Sequence, residues 1–464
     1  MRIHLIGVCG TAMATLAALL QRQGHDVQGS DQHIYPPMSD FLRSEGIRLL
    51  DGYRAEHVAE GVDLVVVGNA ISRGNAELEA VLDSRLRYCS LPEAVREHFL
   101  WQTHPVVLAG THGKTSTTAL TAWLLTHGGL DPWMLVGGIA RNFGEAGTSY
   151  RVGKGPHFVI EGDEYDSAYF DKTAKFLKYL PEVAVIGNME FDHVDIYADY
   201  AAVELAFRRL VNLVPRRGLL LLGADDPGSA SLSRHAVSPV ETFGVTESAD
   251  WQASGVEARD GITSFTVHLR GALFGQFRSP LLGLHNVRNA LAAIAVGAWA
   301  GLTPAVLAEG LASFRGIKRR LEVVGVARGV TVIDDFAHHP TAVRETLAAL
   351  RSGYPARRIW AIFEPRSASS CRRIFQDAFA AAFGVADEVV VAAVFRSSLP
   401  EAERLDAEGL VADLARQGQR ARYLPGVEAI VAAVASGARE GDVVIVMSNG
   451  GFGGIHGKLL AALA

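Results

Sequence analysis

At 464 residues, 49% of them apolar and 20% charged, the chain is too long for a single hydrophobic core and too apolar for a disordered one, which implies about three globular domains. A formal charge of −6 without a dense Lys/Arg run excludes a nucleic-acid surface, and no stretch reaches the ~18 uninterrupted apolar residues of a membrane span. Cys9, Cys89 and Cys371 are odd in number and far apart, so neither a disulfide framework nor a zinc pattern is expected; small-molecule partners, a cytoplasmic location and a monomer are.

The first domain, residues 1–100, alternates short strands with helical spacing: Ile3 to Gly7, Val27 to Ser30 and Leu64 to Gly68 read as strands of a βαβ, Rossmann-like unit. His4, Gly7, Gly10 and Thr11 interrupt the apolar stretch that runs to Leu20, which predicts strand, glycine turn and helix rather than a secretory signal. Gly7-Val-Cys-Gly10 opens that helix. Ser30-Asp31 closes the second strand, where an acidic side chain commonly meets a ribose. By itself G-x-x-G suits a helix-packing turn as well as a ligand site.

The second domain, 101–316, begins with the apolar strand Pro105 to Ala109, then Gly110-Thr111-His112-Gly113-Lys114-Thr115-Ser116, then helical spacing from Ala119 to Leu125. This is the strand, loop and helix of a P-loop. Its glycines let backbone N–H groups close on phosphate oxygens at a helix N-terminus, Lys114 reaches the β- and γ-phosphates, and the Thr115 hydroxyl ligates Mg²⁺. Leu108 stands where the longer form of the motif has glycine; the shorter G-T-x-G-K-[ST] is intact.

Strands at His157 to Glu161, Val183 to Gly187 and Leu219 to Leu222 are apolar on both faces, as in a buried parallel sheet. Two of them end in chemistry. Glu161 opens Glu-Gly-Asp-Glu164, and Asn188 precedes Glu190-Phe-Asp192-His193-Val-Asp195, where His193 is a candidate metal ligand with Asp192 or Asp195 behind it. Singly, such groups are loop caps or surface charges; beside the P-loop they point to a metal-assisted phosphate site. Trp251 to Leu282 alternates as antiparallel ribbon, and Asn286 and Asn289 open the helix Val287 to Ala300 with two amides on one face, able to read an adenine edge or merely to cap the helix.

Gly316-Ile-Lys-Arg-Arg320 marks the entry to a third domain, 317–464. Strands at Val330 to Asp334, Arg358 to Phe363, Glu388 to Val391 and Val443 to Met447 alternate with helices at Thr341 to Leu350, Arg372 to Phe383, Ala407 to Gln417 and Val427 to Ala435, a second open α/β sheet. Asp334-Asp335-Phe-Ala-His338-His339-Pro340 marks a strand end entering a helix. Adjacent side chains converge poorly on one ion, so nucleotide contacts are preferred to a second metal centre.

Taken in order over three α/β domains, Gly110 to Thr115, Glu161, Asp192-His193, His285-Asn286, Asn289, Arg319-Arg320 and Asp335 to Pro340 resemble the Mur ligases over essentially the whole chain. That resemblance implies an ADP-forming ligase making an amide bond on UDP-N-acetylmuramate derivatives. Gly7 to Met13 and Glu161 to Lys172 are similar to the branch that attaches a preformed murein tripeptide; the branch that adds L-alanine is the competing reading.

The resemblance also implies roles. Lys114 and the loop amides, from Gly110 to Ser116, would hold ATP, Thr115 and Glu161 one Mg²⁺, and His193 a second Mg²⁺ with the substrate carboxylate. Asn286, Asn289, Arg320, Asp335 and His339 would contact the nucleotide, and Gly7, Gly10, Thr11, Met13, Ser30, Asp31, Asn69, Ala70 and Ile71 the UDP-sugar. Many members of the family carry a carbamylated lysine on the helix after Asp-His. This chain has no lysine between Lys178 and Lys318; either Arg208, on the comparable helix, takes its place or the second metal is held with fewer protein ligands. A regulator that binds nucleotides without chemistry, or a kinase or hydrolase, are the readings from other classes.

Overall fold

The computed structural model describes residues 1–34, 38–58, 61–395 and 399–464. Two compact units emerge: Met1–Glu190 with Asp199–Trp251 and Leu291–Gly310, and Phe191–Ala198 with Gln252–Ala290 and Leu311–Ala464.

The first unit contains two parallel-rich sheets. The N-terminal one has five parallel strands in the order Arg48–Asp51, Asp26–Asp31, Arg2–Ile6, Leu64–Val67, Tyr88–Ser90. Chain direction across the sheet reverses between Arg2–Ile6 and Leu64–Val67, and a crevice for ligands opens at the carboxyl ends of strands on either side of such a point. Gly7 and Gly68 follow those two ends. A Cβ on Gly68 would lie 2.8 Å from the Ile6 carbonyl oxygen, so only glycine lets the second strand leave the sheet there. Helix Thr11–Arg22 buries every residue from Met13 to Leu20; Leu16, Leu19 and Leu20 alone contribute roughly 1.5–3 kcal/mol each by leaving water.

The second sheet of this unit runs Val240–Gly244, Leu219–Gly223, Val183–Ile186, His104–Ala109, His157–Gly162, Trp133–Ala140, Thr148–Arg151, all parallel except the last pair. The strands Val183–Ile186 and Leu219–Gly223 are buried along their whole length, which explains their unbroken apolar sequences.

In the second unit, strands Ile262–Leu269 and Ala272–Ser279 pair antiparallel, as their alternation requires. The C-terminal sheet runs Glu322–Ala327, Val330–Asp335, Val443–Met447, Ile359–Phe363, Glu388–Val391, Arg420–Tyr423, with the first strand antiparallel to the rest. Alternate residues of these strands feed separate apolar clusters, Ile359, Ala361 and Phe363 into one and Trp360 and Ile362 into the other. Trp360 is fully buried and its indole N–H donates to Asp442 at 3.0 Å.

The α/β architecture with a Rossmann-like first sheet, a P-loop sheet and a second open α/β sheet is thus the observed fold. The expected helix Arg372 to Phe383 is a 3-10 turn, Arg373–Phe375, followed by a helix over Gln376–Ala382, because Phe375 leaves helical dihedrals. The strands Trp133–Ala140 and Glu322–Ala327 have no counterpart in the sequence reading. Among the described residues, no helix is long and apolar enough to cross a membrane.

Candidate active site

Strand His104–Ala109 runs into the loop and helix Lys114–His127 begins at Lys114, with Gly113 in the left-handed region at φ 82 as its N-cap. Gly110 has φ 134, and a Cβ there would stand 3.2 Å from both the backbone nitrogen and oxygen of Asn188. The neighbouring strand end grips the loop. Thr111 N–H donates to the Asn188 carbonyl at 3.1 Å, His112 N–H to Asn188 Oδ1 at 2.8 Å, and Asn188 Nδ2 returns a bond to the His112 carbonyl at 3.1 Å. Glu190 N–H donates to the Thr111 hydroxyl at 2.8 Å, and the His112 ring lies 3.2 Å from the Glu190 carboxylate.

Lys114 folds over this loop, its ammonium donating to the carbonyls of Gly110 at 2.9 Å and Thr111 at 3.3 Å and to Glu164 Oε2 at 2.7 Å. Burial alone would depress its pKa, but the charges of Glu164 and Asp163 overcome that and raise it, so the side chain is held as a cation. Glu161 accepts from the Thr115 hydroxyl at 2.7 Å and from Gly137 N–H at 2.6 Å. Burial and the Asp163 charge raise its pKa despite Lys114. A crowded carboxylate touching a hydroxyl, with more negative charge than Lys114 offsets, is a donor set suited to a hard, oxygen-seeking divalent cation.

Helix Tyr200–Val211 follows in the same unit. Burial, and then the charges of Asp226, Glu204 and Glu190, raise the pKa of its first residue, Tyr200. Arg208 is exposed, because Val203, Ala206, Phe207, Leu210 and Val211 take the buried face, and it stands ~12 Å along the axis from Tyr200. Arg208→Ala should therefore keep ligation rates within about twofold, as a surface change does. A loss beyond tenfold in kcat would return the guanidinium to the site.

In the N-terminal sheet, Gly7 has φ 83 and packs on the buried Ile71. Gly7 and Val8 N–H groups both donate to the Ser30 carbonyl, at 2.9 and 3.0 Å, and Cys9 N–H donates to Asp31 Oδ2 at 2.9 Å. Gly10 caps the helix, Thr11 is exposed and Met13 is buried beneath. Ser30 departs from its expected role at the sugar: its side chain is fully buried and its hydroxyl donates to Glu77 at 2.5 Å. Asn69 and Ala70 are exposed, and Asn69 reaches Asp166 at 3.2 Å.

In the second unit, Phe191 and Val194 pack against the C-terminal core, and Asp192 is buried with the Ser369 hydroxyl and His193 N–H donating to it, the latter at 2.7 Å. Burial pushes its pKa up, but the His193, His338 and His339 rings and Ser369 hold it well below the usual carboxylate range. His193 has φ 51 and its carbonyl accepts from Ile196 and Tyr197, so Asp192 also supports the turn through the His193 backbone. Asn286 Nδ2 donates to the Leu282 carbonyl at 2.8 Å and its Oδ1 accepts from Asn289 at 3.1 Å.

Asp335 is held by backbone amides. Its oxygens accept from the N–H groups of Leu321 at 2.7 Å and Ala337 at 2.8 Å, fixing the loop that carries Arg319 and Arg320. His339 caps helix Pro340–Gly353 and the Arg320 guanidinium lies 5.0 Å from the Phe336 ring. Glu164 and Gly137 escaped assignment by sequence: Glu164 was visible as a second acid after Glu161, whereas Gly137 comes from a strand with no motif.

Three family profiles match: Mur ligase family, catalytic domain, over 2–100; Mur ligase middle domain over 108–297; and Mur ligase, glutamate ligase domain over 319–450. Over 467 residues, covering 100% of this chain and 98% of the relative, the sequence is 41% identical to the UDP-N-acetylmuramate–L-alanyl-γ-D-glutamyl-meso-2,6-diaminoheptandioate ligase of Escherichia coli K12. The chain belongs to the Mur ligase family. Another Mur ligase, the UDP-N-acetylmuramate–L-alanine ligase of Caldanaerobacter subterraneus, is 33% identical over 99% of this chain and 97% of the relative. Among solved Mur ligases, a murein peptide ligase from Psychrobacter arcticus aligns with TM-score 0.73 and 36% identity, over 100% of this chain and 98% of that one. A UDP-N-acetylmuramate-alanine ligase from Thermotoga maritima aligns with TM-score 0.81 and 26% identity, over 99% and 98%.

Proposed function

We propose that this Mur ligase uses ATP to join the lactyl carboxylate of UDP-N-acetylmuramate to the amine of L-alanyl-γ-D-glutamyl-meso-diaminopimelate, releasing ADP and phosphate, in the recycling of murein peptides. The observation that carries this reading is full-length identity of 41% to an enzyme named for that acceptor, against 33% to one named for L-alanine. It acts on small nucleotide substrates of the cytoplasm, as a monomer. The N-terminal sheet receives the UDP-sugar through Gly7 to Met13, Asp31 and Asn69 to Ile71, the P-loop sheet receives ATP, and the C-terminal sheet receives the peptide.

A free carboxylate is a poor electrophile and must be activated. Its oxygen attacks the γ-phosphorus, the bond from that phosphorus to ADP breaks, and an acyl phosphate forms; the peptide amine then attacks the acyl carbon and phosphate leaves with its electron pair. Loop amides from Gly110 to Ser116 orient the phosphates, and Lys114 places a fixed positive charge beside them. Thr115 and Glu161 would hold one Mg²⁺ and His193 a second; such cations would neutralise charge on the transferring group.

L-Alanine as acceptor is the second reading, favoured by the higher TM-score of 0.81 to the Thermotoga alanine ligase. A side-by-side assay of phosphate release decides. The tripeptide should exceed L-alanine by roughly a hundredfold or more in kcat/KM, since a site built around several polar groups rejects an acceptor that lacks them. Preference for L-alanine would overturn the acceptor and leave the activation chemistry standing; ADP release without any acceptor would favour a hydrolase.

A further inference from the structure

One buried carboxylate lies outside the chemistry described so far. Glu77, in the first turn of helix Ala76–Asp83, is fully buried together with His4 and Ser30. Its Oε2 accepts from the Ser30 hydroxyl at 2.5 Å and lies 3.0 Å from His4 Nε2; its Oε1 lies 2.6 Å from His57 Nδ1 and 3.3 Å from Arg54 N–H. Gln28 Nε2 sits 3.3 Å from His4 Nδ1, so His4 accepts there and donates to Glu77 through Nε2. Two strands of the N-terminal sheet and the Arg54–His57 segment thus converge on a single carboxyl group.

Burying a carboxylate is costly, and an apolar side chain would fill the same space more cheaply. What Glu77 adds is position. Ser30, which it holds by the hydroxyl, is the residue whose carbonyl receives the N–H groups of both Gly7 and Val8. His4, which it holds by the ring, lies on strand Arg2–Ile6, which leads directly into the same turn.

We propose that Glu77 is a positioning residue for the UDP-sugar: through Ser30 and His4 it sets the Gly7 to Gly10 turn in the shape that receives the sugar nucleotide. The proposal rests on the reading of that turn as the UDP-sugar site. Its weight falls on one substrate. Loosening the turn weakens the sugar nucleotide and leaves the P-loop and the phosphoryl step as they were.

The test is steady-state kinetics on the full chain with UDP-N-acetylmuramate and ATP varied separately. Ser30→Ala should raise KM for UDP-N-acetylmuramate about tenfold, the value of one lost charge-assisted hydrogen bond, and Glu77→Ala, which loses the contacts to His4, His57 and Arg54 as well, at least as much, with kcat and KM for ATP within about twofold. Glu77→Gln should restore part of the loss, because its amide oxygen can still accept from Ser30 and His4 while its amide nitrogen replaces the oxygen that accepts from Arg54 N–H. Ser30→Ala removes a hydroxyl alone, so it carries the test if Glu77→Ala fails to fold. Gly7→Ala, strained at φ 83, reports on the turn itself. If Gly7→Ala raises KM for the sugar nucleotide and the Ser30 and Glu77 variants do not, the proposal is overturned while the site assignment stands. If Gly7→Ala leaves it unchanged, the turn is not the sugar site and both fall. Equal changes in both KM values and kcat would reduce Glu77 to a structural brace.

Discussion

Lys114→Met should lower phosphate release by about a thousandfold, the loss that follows removal of a preorganised charge from a phosphoryl-transfer site. The ammonium sits within 2.9 Å of a P-loop carbonyl and 2.7 Å of Glu164, so it is already at the mouth of the phosphate cradle before nucleotide arrives. The single variant has a confounding cost. Glu164 is 2% exposed, and leaving it buried without its cation costs roughly 3–5 kcal/mol. The double variant Lys114→Met/Glu164→Gln removes that stranded charge and should recover the melting temperature without recovering turnover. Recovery of both would make Lys114 a structural partner of Glu164 and nothing more. Thermal melts beside a coupled ADP assay separate the two results.

Glu161→Gln should move activity and stability in opposite directions. The amide oxygen can take the Gly137 N–H while its nitrogen donates to the Thr115 oxygen, so both contacts of the carboxylate survive in altered form. What disappears is the charge. Half-saturating Mg²⁺ should rise at least about tenfold and kcat fall about a hundredfold, as expected when an anionic ligand becomes neutral. Without added metal, the variant should be no less stable than the wild type and up to about 1 kcal/mol more stable, because burial and Asp163 make the ionised carboxylate unfavourable there. An unchanged Mg²⁺ requirement would remove Glu161 from the metal site.

The P-loop was legible because its glycines answer to backbone geometry: Gly113 needs positive φ and Gly110 has no room for a Cβ, so the motif is a direct imprint of conformation. Strand ends such as Glu161 and Asn188 were legible for a similar reason, since a buried parallel strand leaves its polar residues at its exit. Orientation was not. Ser30 and Asp335 carry polar groups at the expected strand ends, yet each turns inward, Ser30 to Glu77 and Asp335 to two backbone amides. Arg208 was placed by the helix it shares with the family's modified lysine, and the stripe of Phe207, Leu210 and Val211 turns it to solvent. Gly137 lay beyond reach because it meets Glu161 through a strand that the sequence reading did not contain. Phe191–Ala198 groups with the second unit because its apolar side chains, Phe191 and Val194, find their burial there.

The two bonds between Asn188 and the peptide of His112 have a consequence for the cost of catching a nucleotide. A glycine-rich loop free in solution samples many shapes, and ordering each residue costs about 1–2 kcal/mol of backbone entropy. Here the bonds to the neighbouring strand order part of the loop, so less of that cost falls on binding ATP. Asn188 therefore governs affinity for a ligand through the disorder it prevents, and the stiffness of the sheet becomes part of the binding constant.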